Sequence, residues 1–156
     1  MKKLKTIFAI VIVFIFAIQF SAIALAAEIP SPKADFYVND FAGIFSEEEK
    51  QVLMEKAVKL ANENDGIQVV VTTIKSLDGM SIENYATKMY NSYQIGKNNM
   101  GILILLSTED RRARVEVGNA MEAYITDSKA GSYLDKYAIP YLKNNEFNKG
   151  LIELQS

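Results

Sequence analysis

Seven residues, 101–107 (Gly-Ile-Leu-Ile-Leu-Leu-Ser), carry no charge and are apolar throughout their centre. A strand of that kind offers no face to water, so it reads as central in a sheet with helices on both sides. A second run, residues 67–74 (Ile-Gln-Val-Val-Val-Thr-Thr-Ile), is β-branched and fits another largely buried strand. Between them Ile82, Tyr85, Ala86, Met89 and Tyr93 recur at helical spacing behind Ser81, a cap, with Gly96 as the stop. Strand, helix and strand make a βαβ unit, for which a right-handed parallel crossover is expected. The fold class is therefore α/β.

Other elements follow from local chemistry. Ser46-Glu47-Glu48-Glu49 is a capping box, with three acids at the positive end of the helix dipole. It predicts a helix over 46–64 that buries Leu53, Ala57, Leu60 and Ala61 and stops at Asn64-Asp65-Gly66. In residues 112–117 (Arg-Ala-Arg-Val-Glu-Val) charged and apolar side chains alternate, as in a strand with one wetter face, and the short link 108–111 makes a hairpin with the strand before it. Asp127 is placed to cap a third helix with Ala130, Tyr133, Leu134, Tyr137 and Tyr141 along an apolar stripe, disturbed by Pro140. Tyr85, Tyr133 and Tyr137 are read as core residues. Residues 147–156 read as a last helix cut short, leaving Leu151, Ile152 and Leu154 little to pack against.

The first 26 residues read as an address. Lys2, Lys3 and Lys5 precede an unbroken apolar run, 7–18, and small residues at Ala24 and Ala26 suit a signal peptidase, with cleavage after Ala26. The alternative is an uncleaved anchor, since 6–27 is just long enough to span a bilayer. Either way the remainder is extracytoplasmic. Residues 27–35, with two prolines, read as a linker, and 36–156 as one domain.

Composition narrows the chemistry. The chain has no His and no Cys. Disulfides, thiolate catalysis, serine-histidine triads and histidine-ligated metals are excluded, which leaves oxygen ligands and hard cations as the natural chemistry. Without the leader, 14 basic groups face 19 acidic ones. That balance opposes nucleic-acid binding and suits a divalent cation. Acids gather at element boundaries, Asp40, Glu109, Asp110, Glu116, Glu122 and Asp127, where loop carboxylates can converge on an ion; the same residues serve equally as caps and turn formers. Arg111, Arg112 and Arg114 fit either ion pairs with these acids or a bound anion.

Four segments then fall in a recognisable order: Val38-Asn39-Asp40-Phe41-Ala42-Gly43-Ile44-Phe45-Ser46, Gly66-Ile67-Gln68-Val69-Val70-Val71, Tyr93-Gln94-Ile95-Gly96 and Asp110-Arg111-Arg112-Ala113-Arg114-Val115-Glu116-Val117-Gly118. Over residues 36–151 the chain resembles the TPM domain family, which includes exported bacterial proteins of the YgcG type and a thylakoid lumen protein linked to photosystem II repair. The resemblance implies a three-layer α/β/α sandwich around a small mixed sheet and an acidic pocket that in some members binds calcium or other divalent ions. By motif matching it gives Asp40, Asp110, Glu116 and Asp127 as metal-site carboxylates, with Arg111 as an anion partner. Acid phosphatase activity is attributed to the plant member, whereas other members resemble assembly factors for membrane complexes.

The leading expectation is an exported, monomeric domain that binds calcium (or magnesium or manganese) and serves as an envelope accessory module for a membrane-protein partner. A metal-dependent phosphatase is the rival, with Asp110 and Arg111 as catalytic groups and the cation polarising a phosphoryl oxygen. A metal-independent interaction domain is the third.

Overall fold

The structure is a computed structural model that describes residues 28–144 and 146–154; the leader expected at 1–26 lies outside them. Its elements are β1 (Val38–Asp40), α1 (Glu47–Glu63), β2 (Gln68–Ile74), α2 (Ile82–Tyr93), β3 (Gly101–Ser107), β4 (Arg112–Val117), α3 (Asp127–Tyr133), a π-helical turn (Leu134–Ala138), α4 (Ile139–Lys143) and α5 (Phe147–Leu154). The sheet runs in sequence order, β1-β2-β3-β4. Its first three strands are parallel and β4 returns antiparallel as the expected hairpin.

Register builds the core in rows. Val38, Val71, Ile104 and Val115 lie side by side across the four strands, on one face. That face is covered by Leu53 of α1, Ala130 of α3 and Leu151 of α5. Because side chains alternate along a strand, Val70, Ile74, Leu103 and Leu105 point the other way, under Ile82, Tyr85, Met89 and Tyr93 of α2. All seven residues of β3 are buried, as its apolar sequence demanded. The result is an α/β/α sandwich.

One consequence of this layering departs from expectation. The crossovers β1-α1-β2 and β2-α2-β3 step the same way along the sheet between parallel strands, yet α1 and α2 cover opposite faces. Two such units have opposite hands. One is therefore left-handed, an arrangement rare enough that right-handedness is the usual expectation.

The helix ends follow their sequence signals closely. Ser46 Oγ accepts from the Glu49 N–H at 3.2 Å and Glu49 reaches back to the Ser46 N–H at 2.9 Å, the full capping box. Asp65 and Gly66 take positive φ to close α1, and the Gly66 N–H bonds to the Ala61 carbonyl at 2.9 Å. Ser81 caps α2 as expected, but α2 stops two residues before Gly96, at Gln94, which adopts φ 52°. At α3 the cap is Thr126, whose hydroxyl accepts from Lys129 N–H at 3.3 Å, so Asp127 is the first helical residue rather than the cap.

A second difference lies where α3 meets the π turn before Pro140. Proline has no N–H to donate. Just before it the helix widens, and the Ile139 N–H reaches back five residues to the Leu134 carbonyl. A π turn inserts one residue and rotates the stripe by about 100°. Ala130 and Ala138 stay buried, whereas Tyr133 is 43% exposed and stacks on Tyr137 at 6.1 Å. Leu151, which sequence left without partners, is fully buried. The linker segment is likewise held: Tyr93 donates to the Pro30 carbonyl at 2.8 Å, and Asn39 Oδ1 accepts from Lys33 N–H at 2.7 Å.

Two glycines give opposite tests of this packing. A Cβ on Gly118 would lie 2.1 Å from the Asn99 carbonyl oxygen, while one on Gly131, in α3, meets nothing within 4 Å. Gly118→Ala is expected to destabilise by about 2 kcal/mol or more. Gly131→Ala is expected to stabilise by roughly 0.5–1 kcal/mol. Urea unfolding curves of the two variants check both signs.

Candidate functional site at the carboxyl edge of the sheet

The three parallel strands end together, at Asp40, Ile74 and Ser107. In open α/β sheets that edge is where ligands bind, because loops and side chains converge there on rigid strands. Asp40 and Asp110, two of the four carboxylates that the resemblance gives, lie at this edge, with Glu109 beside Asp110 on the hairpin link.

Asp40 is 4% exposed. Its Oδ1 accepts from the N–H groups of Gly43 (2.9 Å) and Ile44 (3.1 Å) and from the Thr73 hydroxyl, and its Oδ2 accepts from the Phe45 N–H (3.1 Å). A carboxylate has about four acceptor sites, so these four donors use its capacity. Burial pushes the carboxyl up, but the hydrogen bonds from Thr73, Phe45, Ile44 and Gly43 outweigh it and hold Asp40 below the usual range. Its work is structural: it ties β1 to β2 and folds the chain into α1.

Asp110 is arranged differently. Its Oδ2 accepts from the Leu77 N–H at 2.8 Å and the Ser107 hydroxyl at 2.6 Å. Oδ1 stands outside these bonds, on an exposed residue at the hairpin tip. The Ser107 and Leu77 hydrogen bonds, with the charge of Arg112, hold the carboxyl below its ordinary value. Asp78, one residue beyond Leu77 and also exposed, sits at φ 48° on the turn that Asp110 grips.

The other expected residues do not join this edge. Glu116 pairs with Leu103, four rows inward along β3 from Ser107, and its oxygens accept from Thr87 (2.7 Å) and Arg114 (2.9 Å). Asp127 opens α3, in the stretch of chain that leaves β4 from the opposite edge; its side chain lies outside the described part. Arg111 turns away from Asp110, and its Nη2 donates to the Lys143 carbonyl at the end of α4 at 3.2 Å. Among the described residues no three carboxylates come together as a cage for a metal ion.

Sequence reasoning missed Ser107, Thr73 and the Leu77 N–H. A polar residue closing an otherwise apolar strand was the available signal for Ser107. It also missed an apolar cleft of about 290 Å³ between α1 and α3, floored by Val69, Ile102 and Ile104, with Asn64 and Tyr133 among its lining.

A four-stranded mixed sheet between helical layers, with ordered carboxylates at its carboxyl edge, defines the class. The chain belongs to the TPM domain family, whose model matches residues 38–155. Among solved structures it is similar to the solution NMR structure of the N-terminal domain of a protein from P. gingivalis, at 26% identity over 76% of each chain and a TM-score of 0.72. A second, the N-terminal domain of the cg2496 protein from Corynebacterium glutamicum, is 18% identical over 83% of this chain and 80% of that one, with a TM-score of 0.62, and shows the shared fold. No curated protein matches the chain.

Asp40→Asn replaces an acceptor by a group that is half donor, facing donors. It is expected to cost about 3 kcal/mol, read as a fall in Tm on the order of 10 °C. Because the folded-state values of Asp40 and Asp110 are depressed, the stability they confer is complete above the ordinary carboxylate range and is lost as pH falls through the folded values. The Asp40→Asn chain should therefore show a shallower loss of Tm on acidification than the parent.

Proposed function

We propose that this chain is an exported TPM domain that acts in the cell envelope as an accessory module and binds a divalent cation, calcium first, at the carboxyl edge through Asp110. The observation that carries this reading is the Asp110 carboxylate itself. It is kept ionised and anchored through Oδ2, on an exposed residue beside the turn that bears Asp78.

The donor chemistry suits a hard ion. Carboxylate, hydroxyl and carbonyl oxygens are what this edge offers, in a chain without His or Cys. With Asp40 saturated and Glu116 paired, the edge supplies one or two carboxylates, so a bound ion keeps most of its water. Loose sites of that kind hold calcium at millimolar concentrations, those met outside the cell. Asp40 contributes from behind, by fixing loop 41–45, rather than as a ligand.

Export rests on the leader sequence, and the envelope role on the family. Among the described residues no helix is long and apolar enough to cross a membrane. Catalysis has less support. Arg111 is engaged away from Asp110, and Ser107, the hydroxyl in contact with Asp110, is fully buried.

Melting the protein with excess chelator, then with calcium, magnesium or manganese, tests the site. At about ten times the dissociation constant, calcium is expected to raise Tm by roughly 3–5 °C, and Asp110→Asn to abolish the rise. No response to any ion would favour the metal-independent interaction domain. Hydrolysis of an aryl phosphate above blank, lost on Asp110→Asn, would instead revive the phosphatase.

A further inference from the structure

β4 is an edge strand, and among the described residues no strand pairs with its outer side. Antiparallel pairing alternates, and Gly118 N–H donates to the Gly101 carbonyl at 2.9 Å, so the backbone groups of Arg112, Arg114 and Glu116 turn inward to β3. Those of Ala113, Val115 and Val117 turn outward. No hydrogen bond among the described residues uses these outward N–H groups. A cleft of about 90 Å³ lies at this edge, lined by Ala113, Arg114 and Val115 together with Glu83 of α2 and Gly131 of α3.

An open edge is a template for another strand, and the charges beside it decide which. Arg112, Arg114 and Glu116 share one face, with Arg114 and Glu116 partly exposed. Suppose β4 pairs antiparallel with β4 of a second copy. Outward residues must meet outward residues, so only registers that shift by two are allowed. Pairing Ala113 with Val115 sets Arg114 opposite Arg114, although it also sets Arg112 opposite Glu116 twice. Pairing Val115 with Val117 sets Glu116 opposite Glu116. Pairing Ala113 with Ala113 sets Arg112 opposite Arg114. Only the register in which Val115 meets Val115 places Arg114 opposite Glu116, twice, by symmetry. That register also meets all the outward N–H and carbonyl groups of Ala113, Val115 and Val117 on both copies.

The geometry points to a two-fold dimer of this chain, formed by antiparallel β4–β4 pairing about Val115, that joins two four-stranded sheets into one of eight strands. The charge pattern favours this register because in it opposite charges meet and no like charges face one another. The dimer is independent of the cation site, which lies at the hairpin end of the strand.

The test is sedimentation velocity of the full chain in a mild nonionic detergent, across about 1–500 µM. The parent is expected to dimerise with rising concentration. Arg114→Glu and Glu116→Arg each set like charges opposite one another and should raise the dissociation constant at least about tenfold. Mixed in equal amounts, the two variant chains should recover the parent's affinity, because each then supplies the charge the other lacks. Val115→Pro removes an outward N–H that β3 does not use and should leave a monomer even if a charge variant folds poorly. A parent that stays monomeric throughout overturns the dimer. So does a dimer whose affinity is unchanged by Val115→Pro and by both charge variants, as association through residues 1–27 would give. Variant chains that stay monomeric on mixing overturn the register.

Discussion

Burial of β2 and β3 on both faces is the constraint from which the architecture follows. Strands without a wet side need a helical layer above and below. Here the chain supplies those layers from consecutive crossovers, α1 to one face and α2 to the other, with α3 and α5 completing the first. Stepping along the sheet in one direction while alternating faces makes the two crossovers opposite in hand. The chain thus accepts an uncommon topology in order to enclose its most apolar strands within a short sequence.

The same arrangement separates two kinds of carboxylate at the sheet's carboxyl edge. Asp40 lies inside, where four donors consume it and its charge serves the fold. Asp110 lies outside, exposed at the hairpin tip, where two donors fix one oxygen. Both are held ionised by hydrogen bonds, so ionisation alone does not distinguish a structural acid from a binding one. The distinguishing feature is unused acceptor capacity.

What was legible in the sequence was local. The Ser46–Glu49 capping box, the Asn64-Asp65-Gly66 stop and the alternation in 112–117 each specify their structure within a few residues, and all three appear as expected. Central placement of 101–107 was legible because an apolar strand admits no other position, and the family resemblance carried the sandwich. The site was less legible because its contacts are distant along the chain. Asp40 meets Thr73 and Asp110 meets Leu77 across 33 residues, and Arg111 meets Lys143 across 32. Spacing among acids cannot reveal which carboxylates are already satisfied. Tyr133 was misplaced for a different reason: the stripe was drawn along one continuous helix, whereas α3 ends at Tyr133, where the chain passes into the π turn.

The two apolar clusters have a consequence for energetics. They are separate groups of side chains with the sheet between them, one led by Leu53 and Leu151, the other by Met89 and Tyr93. Layers on opposite faces of a sheet stand about 10 Å from it, beyond the range at which substitutions usually couple. Losses among the helical side chains of the two layers should therefore add without cooperation, so the helices face two hydrophobic half-cores that share a wall, and drift in one helical layer can be tolerated without compensating change in the other.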